Sequence, residues 1–471
     1  KETVLTPWRV VNMHMSDTVG GWCFWDEDFV APYTEENKYG ENVNAARPVG
    51  VEVDENNQLH FTNEVTKDIF GDYNSRILEI NSKTGLYPLY MAYSLFKGAK
   101  EPNYRNVHLT GERGKSLNAE QYYHQAGDDL EIWKDVLQDN IFVVCRTKMA
   151  VSITKRTLAG FRKDIRMNIR CYEHDVPVTD LVSAGVLKAA DEHVTKEGKT
   201  YFFNGHESLE CDMINVLRAK PELFQNDIVR GNDFWHVYNS IPKSENEDIN
   251  NMKFKAVVGN PPYQITIAKK DTENGQKRVL SIFHYFQLAS DHLGRYTSLI
   301  YPGGRWIHRS GKGLEQFGLK QINDPHLKRI EFFSNANDVF EKVGISDGIS
   351  IVFKDMKKKE DGFIYAYNEK GSSYEAFTLN PGERLLPLNP FDVVIVDKIN
   401  HITNERGFKF LHDSVLSQKL FGIESSFVEE NPTLVREYNG DDIFFDPASE
   451  IKLFTNDKAG KSGRAKWYIA N

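Results

Sequence analysis

The stretch that decides the fold is KFKAVVGNPPYQITIA, residues 253–268. An apolar run that ends at Gly259 predicts a buried strand. Four residues of unusual type follow it, Asn260, Pro261, Pro262 and Tyr263. An Asn-Pro pair is ordinary turn chemistry, so a simple turn is one interpretation of this loop. Because an amide, two rigid prolines and an aromatic ring exceed what a turn requires, the loop is the first candidate for a functional site.

Length and composition set the broad class. The chain has 471 residues, of which 40% are hydrophobic and 12% aromatic, so it can bury a sizeable core and exceeds the usual size of a single domain. The net charge of −9 argues against wholesale binding to a polyanion, although it permits a local basic face. No segment has the pattern of a signal peptide or a membrane span, which predicts a cytoplasmic protein without a membrane partner.

Cysteines and basic residues give weaker signals. The cysteines are widely spaced and no histidine cluster accompanies them, so neither a disulfide framework nor a metal site is predicted. Basic residues cluster in three segments, and each is as consistent with a solvated surface as with phosphate contact: 154–170, 303–313 and 456–467. The chain begins without Met and stops after an apolar run, which suggests a fragment of a longer polypeptide.

Short strand-like runs alternate with longer helix-like ones, a pattern typical of a doubly wound α/β fold with a mainly parallel sheet. Seven strands are predicted, at 76–80, 140–145, 255–259, 296–301, 327–333, 348–354 and 363–367. A charged turn separates the last two, which are therefore expected to form an antiparallel hairpin at the sheet edge. Helices are predicted at 86–96 and 279–293.

The predicted domain organisation follows from departures from this rhythm. Residues 20–63 and 161–227 do not fit it and are interpreted as insertions. From residue 368 onward the chain becomes rich in short runs separated by Pro, Asn and Gly, which suggests a boundary between domains at 1–367 and 368–471.

The loop at 260–263 suits one kind of chemistry in particular. The 6-amino group of adenine is a poor nucleophile because its lone pair is delocalised into the ring, so it needs acceptors for both hydrogens. The Asn260 side-chain carbonyl and the Pro261 carbonyl can accept them, while the two prolines hold these acceptors still. Tyr263 could then stack on a base that has been flipped out of its helix, since the amine is inaccessible within a duplex.

Ligands of open α/β sheets bind beyond the carboxyl ends of the strands, which directs attention to the loop after the first strand. Glu79 lies near the end of that strand, and Gly85 precedes an apolar helix. A carboxylate can accept hydrogen bonds from an amino group and a glycine allows close backbone approach, but an ordinary turn explains the pattern equally well. The chain contains neither G-x-G-x-x-G nor G-x-x-x-x-G-K-[ST], so it shows no dinucleotide or nucleotide-hydrolysis motif.

These motifs, in their order along the chain, resemble the gamma-class adenine-specific DNA methyltransferases of restriction-modification systems, the family of TaqI methyltransferase. LTPWRVVNMHM, residues 5–15, is similar to the family's N-terminal segment, which implies that Thr6 and Pro7 lie over S-adenosylmethionine. The segment around Glu79 and Gly85 is similar to the cofactor loop. N-P-P-Y is the family's catalytic loop.

Two further segments extend the resemblance. GNDFW, residues 231–235, implies that Asp233 and Phe234 hold the adenine of the cofactor. NDVFEKVGISDGISIVFK, residues 337–354, implies that Phe340 packs on the flipped base together with Tyr263. The resemblance implies double-stranded DNA as the substrate, a target-recognition domain after the sheet, and a nuclease or motor that is either fused or separate.

Two departures from the family pattern accompany the resemblance. The cofactor loop, N-S-K-T-G, has only one of the expected small residues, and the second strand lacks the acid that usually binds the ribose. Asp212 is one candidate to replace it. Two other functions stay open at this point: a protein-glutamine methyltransferase, which presents a similar loop to a side-chain amide, and a DNA-recognition module that has lost catalysis.

Overall fold

The computed structural model describes residues 5–56, 58–72, 74–100, 109–111, 115–117, 129–171, 192–196, 199–203, 254–267, 278–310, 313–341, 343–369, 372–408, 431–437, 453–455 and 466–470. Within these residues, contact density divides the chain into two compact units, 1–390 and 391–471. The first unit contains a large mixed sheet, which is the scaffold of the predicted site.

Nine strands form this sheet. In chain order they are β1 Ile77–Ser82, β2 Ile141–Cys145, β3 Asn168–Cys171, β4 Phe254–Gly259, β5 Gly294–Pro302, β6 Leu327–Phe333, β7 Ile349–Asp355, β8 Phe363–Glu369 and β9 Ser372–Thr378. Their spatial order is β3-β2-β1-β4-β5-β7-β6-β8-β9. The first five are parallel to one another, β7 runs antiparallel between β5 and β6, β8 is parallel to β6, and β9 is antiparallel to β8.

All seven strands predicted from the sequence are present in this sheet, and β3 and β9 are additional. The predicted hairpin between the strands at 348–354 and 363–367 is wrong. β7 instead lies between β5 and β6, and the antiparallel edge pair is formed by β8 and β9. The charged turn between β7 and β8 led to the error, since a short connection does not require that the two strands be neighbours. All seven residues of β7 are buried, as expected for an interior strand.

Helices cover both faces of the sheet, as the prediction of a doubly wound fold requires. In chain order the helices of the first unit are α1 Trp8–Thr18, α2 Glu64–Phe70, α3 Leu86–Lys100, α4 Asp129–Asp135, α5 Lys148–Ala159, α6 Phe283–Leu293, α7 Gly304–Ile307 and α8 Glu315–Ile322. A π-helical turn, Val136–Asn140, follows α4, and a 3-10 turn covers Ala336–Asp338. The side chains of α1 to α5 pack in one core and those of α6 to α8 in the other.

Alternation along the strands separates these two cores. Leu78 and Val257 belong to the core that contains α6, whereas Ile77 and Val258 belong to the core that contains α1 and α3. Because successive strand residues point to opposite faces, a strand with apolar residues at every position can be buried on both sides. The continuous apolar runs of the sequence are explained by this arrangement.

Several small ribbons lie outside the main sheet. The segment predicted as an insertion at 20–63 forms three of them, which pair Gly21–Cys23 with Arg47–Val49, Thr34–Glu36 with Asn42–Asn44, and Val51–Val53 with Leu59–Phe61. Three further ribbons pair Leu109–Gly111 with Lys115–Leu117, Glu192–Lys196 with Lys199–Phe203, and Gln264–Ile267 with Arg278–Ser281. The last of these shortens the helix predicted at 279–293, which begins at Phe283.

The second unit contains a 3-10 turn Pro390–Asp392, the helix α9 Val393–Glu405, and three short strands, Val435–Glu437, Leu453–Thr455 and Lys466–Ala470. The division between the units falls after residue 390, and β9 adds a strand to the main sheet beyond residue 367. The predicted start of a target-recognition domain at residue 368 stays a prediction. Among the described residues no helix is long and apolar enough to cross a membrane.

Candidate active site

The predicted catalytic loop lies where the strand order of the sheet reverses. The chain proceeds outward from β1 through β2 to β3, and then returns to place β4 and β5 on the other side of β1. A crevice forms beyond the carboxyl ends of the strands at such a switch point. The loop after β1 and the loop after β4 therefore face each other there, which brings together two segments about 180 residues apart.

Gly259 allows this close approach. Its φ of +139° lies in a region that other residues rarely adopt. A Cβ at this position would lie 3.3 Å from Cγ of Glu79, on the neighbouring strand. A side chain here would therefore press against the predicted cofactor acid, so glycine is required by both the backbone and the space.

Asn260 is held by two hydrogen bonds, one through its side chain and one through its backbone. Its side chain is 2% exposed, and Nδ2 donates a hydrogen bond of 2.9 Å to Oγ1 of Thr6. Its backbone carbonyl accepts a hydrogen bond of 2.9 Å from Nδ2 of Asn81. The remaining polar atom, the side-chain Oδ1, is buried and has no hydrogen-bond partner among the described residues. A buried amide oxygen without a partner is costly to folding alone, and it is the atom that the sequence predicted to accept from an amine.

Asn81 is a site residue that the sequence analysis missed. It lies on β1, one position before the turn into the predicted cofactor loop, and it is 3% exposed. Its Oδ1, like that of Asn260, is buried without a partner in the described part of the chain. The signal in the sequence was the polar N-S-K-T-G run itself, which was interpreted only as a departure from the family's small residues.

Glu79 is buried in the middle of β1 and is 4% exposed. Burial raises the pKa of this carboxyl to about 8, while Ser82 and Lys83 act in the opposite direction. Its Oε2 has no hydrogen-bond partner among the described residues. Burial likewise lowers the pKa of Lys83 to about 8, with the Glu79 charge opposing that shift. Glu79 thus lies within the predicted strand, three residues before the strand ends, and its role in holding the cofactor stays a prediction.

Gly85 forms the turn from β1 into α3. Its φ is +78°, and its amide donates a hydrogen bond of 3.1 Å to Oγ of Ser82. A Cβ here would lie 3.0 Å from Thr154 and Thr157 on α5, so this glycine permits the close packing of the loop against that helix. Oγ of Ser82 also lies 2.9 Å from Oγ1 of Thr154. The loop is thus rigid, whatever it binds.

The N-terminal segment reaches the same site. Pro7 precedes the first turn of α1, and Thr6, which is buried, contacts Asn260 as described above. Behind it, His14 of α1 is fully buried between Oη of Tyr87 and Oγ of Ser298, each at 2.8 Å. Burial lowers the pKa of His14 to about 3, so this histidine is neutral and acts as a structural link. The segment at 5–15 therefore lies beside the loop after β4, and the implied position of Thr6 and Pro7 over S-adenosylmethionine stays a prediction.

Tyr263 lies against both hydrophobic cores, with its ring half-buried. Its hydroxyl is buried and has no close hydrogen-bond partner among the described residues. Burial raises the pKa of the phenol above its ordinary value, and the Asn260 side chain acts against this rise. The ring forms one wall of a cleft whose other lining residues are Gln264, Ser281, Phe283, Pro302, Arg305, Leu314 and Asp347.

Phe340 is part of the core on which Tyr263 packs, at the end of the 3-10 turn between β6 and β7. It is only 1% exposed, so it offers no free face in this conformation. Arg9 of α1 connects this turn to the N-terminal segment through a hydrogen bond of 3.0 Å to the Asp338 carbonyl. A role for Phe340 in packing on a base stays a prediction, and it would require this segment to move.

The remaining predicted residues lie elsewhere. Asp233, Phe234 and Asp212 fall outside the described residues. At the end of β2 the sequence lacks the acid that usually binds the ribose in the family. The chain continues there with Arg146 and with Thr147, whose hydroxyl accepts a hydrogen bond from the Ala150 amide and caps α5. The described part of the chain contains no group of three or more His, Cys, Asp or Glu arranged to hold a metal ion. The described free cysteines, Cys23 and Cys145, are buried thiols.

The residues of the site fit a cationic donor molecule such as S-adenosylmethionine. Two buried acceptor oxygens on β1 have no partner among the described residues, namely Glu79 Oε2 and Asn81 Oδ1. An ammonium group and a sulfonium centre are both positively charged and are stabilised by such oxygens. Glu79 and Asn81 would hold the amino-acid end of that molecule, at the end of β1.

Residues 139–340, which include the catalytic loop, match the Eco57I restriction-modification methylase family. An adenine-specific methylase of Mycoplasma pneumoniae (strain ATCC 29342 / M129 / Subtype 1), whose function is described as uncharacterized, is 29% identical over 250 residues. The match covers 51% of this chain and 57% of that relative, so the chain spans little more than half of the relative's length.

Two solved structures are similar in part. A nuclease-deletion mutant of the Type ISP restriction-modification enzyme LlaGI, in complex with a DNA substrate mimic, matches 78% of this chain and 24% of its own, with 10% identity and a TM-score of 0.35. The Type IIL restriction-modification enzyme MmeI, in complex with DNA, matches 68% of this chain and 36% of its own, with 11% identity and a TM-score of 0.32.

The matching family and the similar Mycoplasma pneumoniae protein are both described as methylases. The predicted resemblance to adenine-specific methylases of restriction-modification systems is confirmed, and residues 139–340 are the part of the chain that matches the Eco57I restriction-modification methylase family.

Proposed function

We propose that this protein is a site-specific DNA methyltransferase that transfers a methyl group from S-adenosylmethionine to the exocyclic amine of an adenine flipped out of double-stranded DNA. The observation that carries the proposal is the buried Oδ1 of Asn260, which has no partner among the described residues although Nδ2 and the backbone carbonyl of the same residue are both hydrogen-bonded. An acceptor that folding leaves unused is available to a substrate donor.

The residues suggest how the amine is made reactive. Oδ1 of Asn260 would accept one hydrogen of the amine and the Pro261 carbonyl the other, which localises the nitrogen lone pair toward the methyl donor. Positive charge then develops on the amine, and the two fixed carbonyl dipoles stabilise it without reorganisation. The ring of Tyr263 would stack on the base and exclude water from one face. The excess proton leaves the nitrogen after transfer.

S-adenosylmethionine, when bound, supplies the methyl group, and Glu79 with Asn81 would hold its amino-acid end. Glu79 has a pKa of about 8 without a ligand, so it is mostly protonated at neutral pH. Pairing with an ammonium group favours the ionised carboxylate. Binding of the cofactor is therefore expected to release a proton near pH 7 and to strengthen as the pH rises toward 8.

The match to restriction-modification methylases supports DNA as the substrate and a restriction system as the setting. The unit at 391–471 is then the start of a target-recognition domain, and a nuclease or motor would act with it, either fused or as a separate subunit. These assignments place the protein in the cytoplasm, where the DNA is.

The proposal is tested by incubating the protein with S-adenosylmethionine and a plasmid library, followed by sequencing that detects 6-methyladenine. Methylation of adenine within one recurring sequence is the expected result, and it also identifies the target. Absence of methylation despite measurable binding of S-adenosylmethionine would contradict the proposal, and methylation of glutamine in a protein substrate would replace it. The Asn260→Ala variant is the matched control, since it removes the acceptor.

A further inference from the structure

Two side chains from outside the catalytic loop fix the orientation of Asn260. Thr6, from the N-terminal segment, accepts from Nδ2, and Asn81, from β1, donates to the backbone carbonyl; both distances are 2.9 Å. All three residues are buried. The two contacts cross large separations in sequence, 254 residues for Thr6 and 179 residues for Asn81.

The contact with Thr6 bears on which atom of the amide is left for the substrate. An asparagine side chain presents an oxygen acceptor on one side and an NH₂ donor on the other. With Nδ2 bonded to Thr6, Oδ1 is the amide atom left without a partner among the described residues. A rotated amide would present NH₂ to the substrate amine, and two donors would then oppose each other.

The contact with Asn81 fixes the peptide that links Asn260 to Pro261. The Asn260 carbonyl belongs to that peptide, so a hydrogen bond to it restricts how the plane can turn. The Pro261 carbonyl, the second predicted acceptor, follows directly. Asn81 thus restrains the backbone of the loop, while Thr6 restrains the side chain of Asn260.

We propose that Asn81 and Thr6 are positioning residues that set the two acceptors of the catalytic loop, and that the cofactor loop and the N-terminal segment act with that loop as one hydrogen-bonded unit. The inference rests on the proposed function. Asn81 is an unfavourable choice for packing alone, because it buries an Oδ1 that has no partner among the described residues. A leucine would fill similar space without that cost. The polar departure at this position in the cofactor loop is thereby given a role.

The test compares Asn81→Leu and Thr6→Val with the parent in single-turnover methylation, with DNA and S-adenosylmethionine both saturating. Each variant is expected to react 10- to 100-fold more slowly, since each loses one restraint on an acceptor. Thr6→Ser keeps the hydroxyl and is expected to stay within about threefold of the parent. Asn81→Ala serves as a second variant should leucine prevent folding.

Two further readouts separate positioning from a structural role. DNA carrying 2-aminopurine at the target has no 6-amino group, so its fluorescence reports extrusion of the base independently of the Asn260 acceptor; the signal is expected to be unchanged. In an Asn260→Ser background, where the amide is absent, Thr6→Val should cause little additional loss of rate, because there is no amide left to orient.

The outcomes are distinct. Rates within threefold of the parent for both Asn81→Leu and Thr6→Val, or an equal penalty for Thr6→Val in the Asn260→Ser background, would overturn the inference and leave the proposed function standing. A parent protein that binds S-adenosylmethionine and methylates no DNA would overturn the proposed function and the inference with it.

Discussion

The side of the central sheet at the amino ends of β4 and β5 and the side at the carboxyl ends of its strands, which we call its two edges, differ in how their acidic side chains are paired. At the edge formed by the amino ends of β4 and β5, Asp68 accepts hydrogen bonds from Lys255, Arg295 and Tyr296. Nearby, Lys354 is 2% exposed and lies 2.8 Å from Asp291 and 2.7 Å from Asp324. The charges of this edge are paired with one another.

At the opposite edge, buried acceptors are left without donors. Glu79, Asn81 and Asn260 each present an oxygen that has no partner in the described part of the chain. The physical consequence is visible in the ionisation of the acids. Although burial alone would raise it, the pKa of Asp324 is lowered by the charge of Lys354, whereas burial raises the pKa of Glu79 to about 8. The difference indicates that one edge is built for stability and the other for a ligand.

Breaking the paired edge should give the largest effect on stability. Lys354→Met would leave Asp291 and Asp324 buried without their cation, and we expect the free energy of unfolding to fall by about 3–5 kcal/mol. Lys134→Met, at a surface pair with Glu131, is the matched control and should leave the free energy of unfolding nearly unchanged. Chemical denaturation measures both. Equal losses for the two variants would contradict the assignment of Lys354 to a stabilising role.

Asn260→Ala, at the other edge, should lower activity and leave stability nearly unchanged. It removes the amide whose acceptor the folded protein leaves unused, so turnover should fall at least about a hundredfold, which corresponds to about 2.7 kcal/mol of transition-state stabilisation. The melting temperature and the affinity for S-adenosylmethionine should barely change. The measurement is single-turnover methylation beside thermal denaturation. A variant within about tenfold of the parent, a difference of about 1.4 kcal/mol, would show that Asn260 does not have the assigned role.

Glu79 allows the comparison to be tested without any ligand. The pKa of its carboxyl is raised from 4.5 to about 8 in the folded protein. A raised carboxyl pKa means that the stability linked to this group is fully present below about pH 4.5 and is lost as the pH rises through 8. Relative to Glu79→Gln, the parent should therefore lose on the order of 3–4 kcal/mol between pH 5 and pH 8. If the free energy of unfolding changes with pH by the same amount in the two proteins, Glu79 is not an unpaired buried acid.

The sequence was sufficient to locate seven of the nine strands and the loop after β4, because continuous apolar runs and an N-P-P-Y tetrapeptide are local signals. It did not place β7 between β5 and β6, since strand order depends on which surfaces pack, and a short connection such as residues 356–362 does not determine it. It also missed β9, whose alternating exposure gives a weaker pattern than a buried strand.

The site was predictable only where one residue type implies one chemistry. Asn260 and Glu79 could be named from the ends of their strands. Asn81 could not, because its role comes from a hydrogen bond to a residue 179 positions away. The same holds for the orientation that Thr6 gives to the Asn260 amide. Long-range contacts of this kind are a property of the fold, which no local pattern contains.

The smallest expected effect concerns Tyr263. Its hydroxyl is buried without a close hydrogen-bond partner in the described part of the chain, while its ring borders the cleft. If only the ring face is used, Tyr263→Phe should change single-turnover methylation by less than about threefold, since the aromatic surface is kept. Tyr263→Ala removes that surface and should slow the reaction by about 10- to 100-fold, because base–aromatic stacking contributes about 1–3 kcal/mol. Equal losses for the two variants would indicate that the hydroxyl takes part in the reaction. Tyr263 would then be grouped with the unpartnered polar atoms near the catalytic loop and not with the residues that only line the cleft.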